Sequence, residues 1–261
     1  MIKDIDYEII PFPRMRRMTV DAGRLAAMRH PIHGFIEVDV TDARRAIREH
    51  KDKTGETLSF TAFAISCLAK TVAENKHIHA CRDMRNRLVI FDSVSVNTFF
   101  AAEVGGVKVV LPHIVKDADK KSFIDIHNEI RAKQSEHRTK QSSKEAAFIK
   151  LLTYLPWCLR KLFYLAVLRT PRLTKEYFGT VALTAVGMFG DGGGWGTPLL
   201  NHPLCITLGG ISEKPVIVDE RIETHEFLCV TVSADHDIID GAATARFAGL
   251  LKKRMEADFT L

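Results

Sequence analysis

The order of strand-like and helix-like segments constrains the fold of this chain most strongly. Residues 35–40 (FIEVDV) alternate apolar and acidic side chains, which predicts a strand with one buried face. Ser59 begins SFTAFAISCLAKTVAEN, which is apolar around most of a helix circumference and predicts a buried helix. Ser122 and Asp125 have the spacing of a capping box and predict the start of a polar helix. Further strand-like segments lie at residues 88–91, 94–100, 107–111, 180–186, 204–208, 215–218 and 226–234.

A last helix is expected after Gly241. Its predicted inward face consists of Ala245, Phe247, Leu250, Leu251 and Met255. Because strands and helices mix along the chain without strict β-α-β alternation, we expect an α+β fold, with a mixed β-sheet and flanking helices arranged in layers.

Composition narrows the class of protein further. The chain has 261 residues, 46% hydrophobic and 26% charged, which is ordinary for a single globular domain near its upper size limit. The net charge of +5 is weak and dispersed, so it gives no argument for nucleic-acid binding. Five cysteines, odd in number and without a CxxC pair, make a disulfide framework or a zinc site unexpected. This cysteine usage fits a reducing compartment, so we expect a cytoplasmic protein, and residues 1–10 show no signal-peptide pattern.

The segment with the clearest chemistry is SADHDIIDGA, residues 233–242. A β-rich run delivers His236 at its end, and Asp240 and Gly241 follow just before the last helix. A histidine held by a tight turn can act as a general base. The alternatives are a turn with a surface histidine and a metal site formed by His236, Asp235 and Asp240. The metal site is the weaker one, because no second histidine lies at ligand spacing, and no metal is expected.

Several segments together resemble one known family. SADHDIIDGAATARF is similar to the HxxxDG signature of the dihydrolipoamide acyltransferases of the 2-oxo-acid dehydrogenase complexes. The segments GGVKVVLPHIVKDADKKSFIDI, VALTAVGMFG and TPLLNHPLCITLGGI also resemble family segments, in the same order, as does His33 together with FIEVDV. The resemblance extends from about residue 14 to the C-terminus, and it implies a chloramphenicol acetyltransferase-like fold that assembles as a trimer.

The resemblance also implies roles for individual residues. His236 would remove the proton from a thiol, of coenzyme A or of a dihydrolipoyl arm, and Thr184 would donate a hydrogen bond to the oxyanion from a neighbouring subunit. Asp240 would pair with Arg16 or Arg17 and, with Gly241, hold the histidine turn. His33 would lie in the substrate channel between subunits.

Two departures from the family pattern shape the expected organisation. We expect residues 1–261 to form a single catalytic domain without a lipoyl domain and without covalently bound lipoyl. About thirty-five residues (143–177) stand where the family has a short connection; we name them the extra segment. It is apolar and basic, and Pro156 should divide it into two helices. Its apolar sides need a cover from the host domain, a neighbouring subunit or a membrane surface. We expect it to pack on the trimer over the mouth of the channel, with contact to a membrane surface as the alternative.

The function expected from this resemblance is acyl transfer between coenzyme A and a thiol, such as a dihydrolipoyl group on a separate protein. Two alternatives stay open. The first is acetylation of a small hydroxylated molecule, which would use the same fold and histidine. The second is a non-catalytic oligomeric scaffold of a dehydrogenase complex, against which the presence of His236, Asp240 and Gly241 argues.

Overall fold

A computed structural model describes residues 7–14, 16–104, 107–139, 151–152, 154–187 and 192–257. The described helices of seven or more residues are α1 (Arg16–Ala26), α2 (Thr41–Thr54), α3 (Phe60–Glu74), α4 (Phe123–Thr139), α5 (Trp157–Leu168), α6 (Pro171–Tyr177) and α7 (Gly241–Ala257). The strands are β1 (Pro31–Asp39), β2 (Cys81–Arg82), β3 (Leu88–Val89), β4 (Val96–Val104), β5 (Val107–Val115), β6 (Val181–Ala185), β7 (Leu204–Val218) and β8 (Arg221–Asp235).

Six of these strands form one mixed sheet in the order β1-β8-β7-β6-β4-β5. β6 runs parallel to both of its neighbours, β4 and β7, and the other pairs are antiparallel. Helices α3, α4 and α7 cover one face of the sheet, as the contacts between elements show. The expected α+β fold, with a mixed sheet and flanking helices, is therefore confirmed.

The long hairpin formed by β7 and β8 corrects one expectation. Residues 204–208 and 215–218 were expected as separate strands, but both belong to β7, whose register shifts between Leu208 and Ile211. Gly209 and Gly210 lie in this shift, and a Cβ on either would overlap a carbonyl oxygen of Gly192 or Gly194. Glycines interrupt the apolar pattern here because another backbone segment approaches closely, and the strand continues beyond them.

The expected helix starts agree with the structure. The Ser59 hydroxyl accepts the Ala62 N–H at the start of α3. Ser122 and Asp125 exchange hydrogen bonds between side chain and backbone at the start of α4. The inward face of α7 is partly corrected, because Ala245 and Leu250 are exposed. The buried residues of α7 recur every three or four positions and are Thr244, Phe247, Ala248, Leu251 and Met255.

The two faces of the sheet differ in chemistry. On the helix-covered face, Leu183, Ile206 and Val232 lie side by side in register and are buried in the core. On the opposite face, which we call the second face, Thr184, Thr207 and Thr231 form a matching row across β6, β7 and β8. Small and polar side chains thus replace the aliphatic ones on the second face.

The extra segment is divided at Pro156, as expected. Residues 151, 152 and 154 are helical, and Pro156 is the N-cap of α5. α5 packs against α1 of the same chain through a buried ion pair, in which Arg160 Nε lies 2.6 Å from Asp21 Oδ2 and Arg160 Nη2 lies 3.0 Å from Asp21 Oδ1. No helix in the described part of the chain is long and apolar enough to cross a membrane.

Candidate active site

His236 lies in the turn between β8 and α7, where the sequence pattern expected it. Its backbone N–H donates to the carbonyl oxygen of His30 at 2.9 Å, which ties the turn to the residue before β1. The side chain is exposed, and no hydrogen bond or ion pair among the described residues involves its ring. The imidazole is therefore available to a substrate or to another subunit.

Arg29 holds Asp235, the residue that precedes this histidine, and we call this contact the arginine clamp. Asp235 is the last residue of β8, and its Oδ2 lies 2.5 Å from Nη1 of Arg29 in the turn after α1. Arg29 Nη2 also donates to the carbonyl oxygen of Asn201 at 3.1 Å. The Asp235 side chain is only 4% exposed and that of Arg29 is 20% exposed. A buried charge pair of this kind fixes the end of β8, and with it the backbone from which His236 projects.

The residue after the histidine is held from the same side. Asp237 Oδ1 lies 2.9 Å from His30 Nδ1, and its Oδ2 lies 4.0 Å from Arg82 Nη2. The hydrogen bond with His30 lowers the pKa of Asp237, and the charges of Arg82 and Arg29 add to this effect. The two residues on either side of His236 are thus anchored by the consecutive residues Arg29 and His30.

Asp240 has a structural role of its own in the single chain, and its expected pairing with Arg16 or Arg17 stays a prediction for the assembled protein. It is exposed, and its Oδ1 accepts the Ala243 N–H at 2.7 Å, so that it caps α7. No ion pair among the described residues joins it to Arg16 or Arg17. Both of these arginines lie in the first turn of α1, whereas Arg29, beyond the end of α1, reaches the histidine turn. Gly241 is exposed at the start of α7, with open space where a Cβ would lie.

Thr184 and His33 lie on the second face of the sheet. The pairing of β1 with β8 puts His33 opposite Ser233, and His33 Nδ1 lies 2.8 Å from Ser233 Oγ. Thr184 is half-buried on β6, beside Thr207 on β7. The Oγ1 atoms of Thr207 and Thr231 are buried and have no partner among the described residues. The second face therefore combines candidate site residues with hydroxyl groups that are not satisfied within the described part of one chain.

Large apolar side chains on the second face are open to solvent in the single chain. Phe35 and Phe99 are 54% and 40% exposed. Trp195 packs edge-on against Phe35, with ring centroids 6.3 Å apart, and its Nε1 donates to the carbonyl oxygen of Ile36 at 3.3 Å. A sheet face that exposes aromatic rings beside buried and half-buried hydroxyl groups has the composition of a subunit or substrate interface.

Two cavities lie in the described part of the chain, the second on the helix-covered side of the sheet beside the start of α3. One, of about 90 Å³, lies beside the histidine turn and is lined by Arg29, Asp235 and Asp237 together with Leu165 and Arg169 of the extra segment. The other, of about 340 Å³, lies at the end of β6. Its lining includes Ala185, Gly187, Gly192, Gly209 and Phe60. A volume of this size suits a small ligand or a narrow arm of a larger one.

A metal site at the histidine turn finds no support. Among the residues that the structure describes, no group of three His, Cys, Asp or Glu side chains is placed to hold a metal ion. Asp235 is engaged by Arg29, and Asp240 caps a helix.

Arg29 and His30 support the histidine turn without any signal in the local sequence. Neither residue belongs to a recognisable motif, and each stands among several other basic residues near the N-terminus. The signal lies in the register of β1 with β8, which pairs Pro31 with Asp235 and so brings the two preceding residues to the histidine turn.

Comparison with known proteins gives a consistent family. The family model described as 2-oxoacid dehydrogenases acyltransferase (catalytic domain) matches residues 5–147 and 169–261, and residues 148–168 of the extra segment lie outside the match. A dihydrolipoyllysine-residue acetyltransferase component of the pyruvate dehydrogenase complex from Mycoplasma pneumoniae is 27% identical over 76% of this chain and 42% of its own length. The chain spans 42% and 50% of the length of two curated relatives that it matches, both acetyltransferase components of pyruvate dehydrogenase complexes.

Two solved structures are similar in fold. A probable dihydrolipoamide acetyltransferase from Listeria monocytogenes superposes with a TM-score of 0.72 at 19% identity, covering 98% of both chains. A chloramphenicol acetyltransferase superposes with a TM-score of 0.50 at 13% identity, covering 96% of both chains. The expected chloramphenicol acetyltransferase-like fold is confirmed.

Proposed function

The chain belongs to the 2-oxoacid dehydrogenase acyltransferase family, through its catalytic domain, and we propose that it transfers acyl groups between coenzyme A and the thiol of a dihydrolipoyl group. The observation that carries this proposal is the exposed His236 at the end of β8, anchored on both sides by Arg29 and His30. The dihydrolipoyl group is the acceptor because relatives of this chain are named dihydrolipoyllysine-residue acyltransferases. We propose that a separate protein carries it and that the reaction takes place in the cytoplasm.

In the proposed mechanism His236 is the general base. Its imidazole takes the proton from the attacking thiol, and the sulfur then forms a bond to the carbonyl carbon of the acyl thioester. The tetrahedral intermediate collapses as the bond to the leaving sulfur breaks, and the imidazolium returns the proton to that sulfur. General-base assistance is typically worth about 10²–10⁴-fold in rate. The anchored turn fixes the backbone from which the imidazole projects and so lowers the entropic cost of this step.

We propose that Thr184 of a neighbouring subunit stabilises the oxyanion with its hydroxyl group. A single donor of this kind is worth about 10²–10³-fold in rate. Within one chain, no hydrogen bond among the described residues joins Thr184 to the histidine turn, which agrees with a site completed by a second subunit. The exposed Phe35, Phe99 and Trp195 on the same face support burial against that subunit. We propose a homotrimer, or a larger assembly built from trimers, with His33 lining the channel.

Coenzyme A is a substrate in this scheme. The glycine-lined cavity at the end of β6 offers room for a narrow chain such as the pantetheine arm. A Cβ at Gly187 would lie 1.8 Å from the carbonyl oxygen of Gly209, so that a side chain at this position could not be accommodated without displacing backbone.

The test compares acceptors with the intact protein. We expect acetyl transfer from acetyl-coenzyme A to dihydrolipoamide, measured by release of free coenzyme A, to exceed transfer to chloramphenicol and other hydroxylated acceptors. Preference for a hydroxylated acceptor would favour the small-molecule acetyltransferase. No release with any acceptor, from a folded oligomer, would favour the scaffold.

A further inference from the structure

The extra segment has a fixed outward face. The buried face of α5 consists of Arg160, Tyr164 and Val167. Arg160 is anchored to Asp21 of α1, and Tyr164 donates from its hydroxyl to the Sδ of Met18 at 3.4 Å. Because these contacts hold one side of α5, the opposite side must point away from α1.

The outward face of α5 is apolar. Leu159 and Leu162, three residues apart, are 51% and 67% exposed, and Cys158 and Ala166 are exposed on the same side. Just before Pro156, Leu151 is 61% exposed. α5 is therefore apolar on its outward side as well as on most of its buried side. A helix whose apolar side is held outward needs a cover.

Basic residues surround this face. The described parts of α1 and of the extra segment contain eight Lys or Arg residues and two carboxylates, Asp21 and Glu176, whereas the whole chain has a net charge of only +5. Asp21 is buried and neutralised by Arg160. Arg24 stacks over Trp157 at 4.7 Å, and Lys161 on α5 and Arg172 on α6 are exposed. The positive charge of the molecule is thus concentrated around an exposed apolar helix face.

We propose that α1 and the extra segment form a docking surface for an anionic membrane, with α5 lying in the plane of the lipid interface. Exposed leucines bordered by Lys, Arg and Trp are typical of interfacial helices, and the cytoplasmic leaflet supplies the negative charge. A second copy of the same surface is the poorer partner, because a two-fold contact would bring like charges together. Lysine is also depleted in the centre of protein interfaces. This proposal does not depend on the acyltransferase reaction.

The exposed Cys158 provides a direct probe, since the four other cysteines are buried. An environment-sensitive fluorophore attached to Cys158 of the intact protein should brighten and shift to the blue with vesicles of equimolar phosphatidylcholine and phosphatidylglycerol. Vesicles of pure phosphatidylcholine should have little effect. As a position control, the fluorophore is moved to the β7–β8 hairpin in the variant Cys158→Ser with Ile217→Cys, where no change is expected.

Two variants test the chemistry by vesicle co-sedimentation. The double change Leu159→Ser with Leu162→Ser should weaken binding by at least about tenfold, through loss of apolar burial. Its matched control is Ile217→Ser with Ile222→Ser, which removes two aliphatic side chains, each 78% exposed, from the hairpin. Lys161→Glu with Arg172→Glu should also abolish the preference for anionic vesicles, whereas Lys51→Glu with Lys53→Glu on α2 should not.

Three results would overturn the proposal. The first is binding to neutral vesicles as strong as to anionic vesicles, or undiminished binding by both the leucine variant and the Lys161–Arg172 variant. The second is no response of the Cys158 fluorophore to anionic vesicles. The third is a Cys158 thiol that reacts only after the oligomer dissociates, because a neighbouring subunit would then cover the face.

Discussion

Replacing Arg29 should show how strongly the histidine turn depends on its clamp. The change Arg29→Met keeps most of the side-chain volume but leaves the carboxylate of Asp235, 4% exposed, without its charge partner. Breaking a buried ion pair by removing one partner costs about 3–5 kcal/mol. Because Arg29 is itself 20% exposed, solvent can partly compensate, and we expect a loss near the lower limit, about 3 kcal/mol. Arg29→Lys should lose less, since it keeps the charge but not the second hydrogen bond to Asn201.

The assay is urea denaturation at a fixed protein concentration, together with steady-state kinetics of each folded variant. Arg82→Met is the matched control. Arg82 is 42% exposed and lies 4.0 Å from Asp237, so its loss should cost less than about 1 kcal/mol. A displaced imidazole should lower kcat of Arg29→Met with little effect on KM, and Arg29→Lys should recover part of it. Equal destabilisation by Arg29→Met and Arg82→Met, with unchanged kcat, would refute the role of the clamp.

Three further predictions concern titration, capping and the oxyanion donor. Burial lowers the pKa of His79 and of His202 to about 4 from 6.5. Their contribution to stability should therefore be complete above pH 6.5 and be lost as the pH decreases towards 4, by about 3 kcal/mol for each histidine. Urea denaturation at each pH measures this loss, and a flat profile would contradict it. Asp240→Asn should leave thermal stability nearly unchanged because asparagine also caps helices, whereas Asp240→Ala should lower the free energy of unfolding by about 1 kcal/mol. A large loss of stability in Asp240→Asn would instead indicate a charge partner in the assembled protein. Thr184→Ser should keep most of the activity, whereas Thr184→Val should lose about 100-fold in rate. If Thr184 and His236 meet between subunits, mixed oligomers of Thr184→Val with His236→Ala should regain activity. Mixed oligomers that stay inactive would argue against this.

Local sequence patterns predicted most of the elements because their causes are local. The Ser59 cap and the Ser122–Asp125 box need only residues a few positions apart, and both are found. β7 was divided in error because Gly209 and Gly210 look like a break in the sequence. These positions require glycine because the backbone of residues 192–194 approaches closely. Those residues precede Gly209 by more than ten positions, so a short sequence window does not show the contact. Leu250 was assigned to the inward face of α7 because its apolar character does not reveal on which side of the helix the core lies.

In the candidate site, too, the sequence predicts what depends on neighbouring residues and not what depends on contacts between distant segments. The position of His236 after a strand and before a helix could be inferred from one segment. Its anchors could not, because Arg29 and Asp235 are 206 residues apart and meet only through the pairing of β1 with β8. The buried partner of Arg160 was equally hidden, since Asp21 resembles any surface carboxylate until α5 packs on α1.

The central claim is that His236 removes the proton from the attacking thiol. The most direct measurement is the initial rate of acetyl transfer from acetyl-coenzyme A to dihydrolipoamide by the intact protein and by His236→Ala, with oligomer mass and thermal unfolding recorded for both. We predict a loss of at least about 10²-fold in kcat with unchanged mass and stability, because the His236 ring is exposed and makes no hydrogen bond or ion pair among the described residues. An unchanged rate in a folded His236→Ala oligomer would contradict the account.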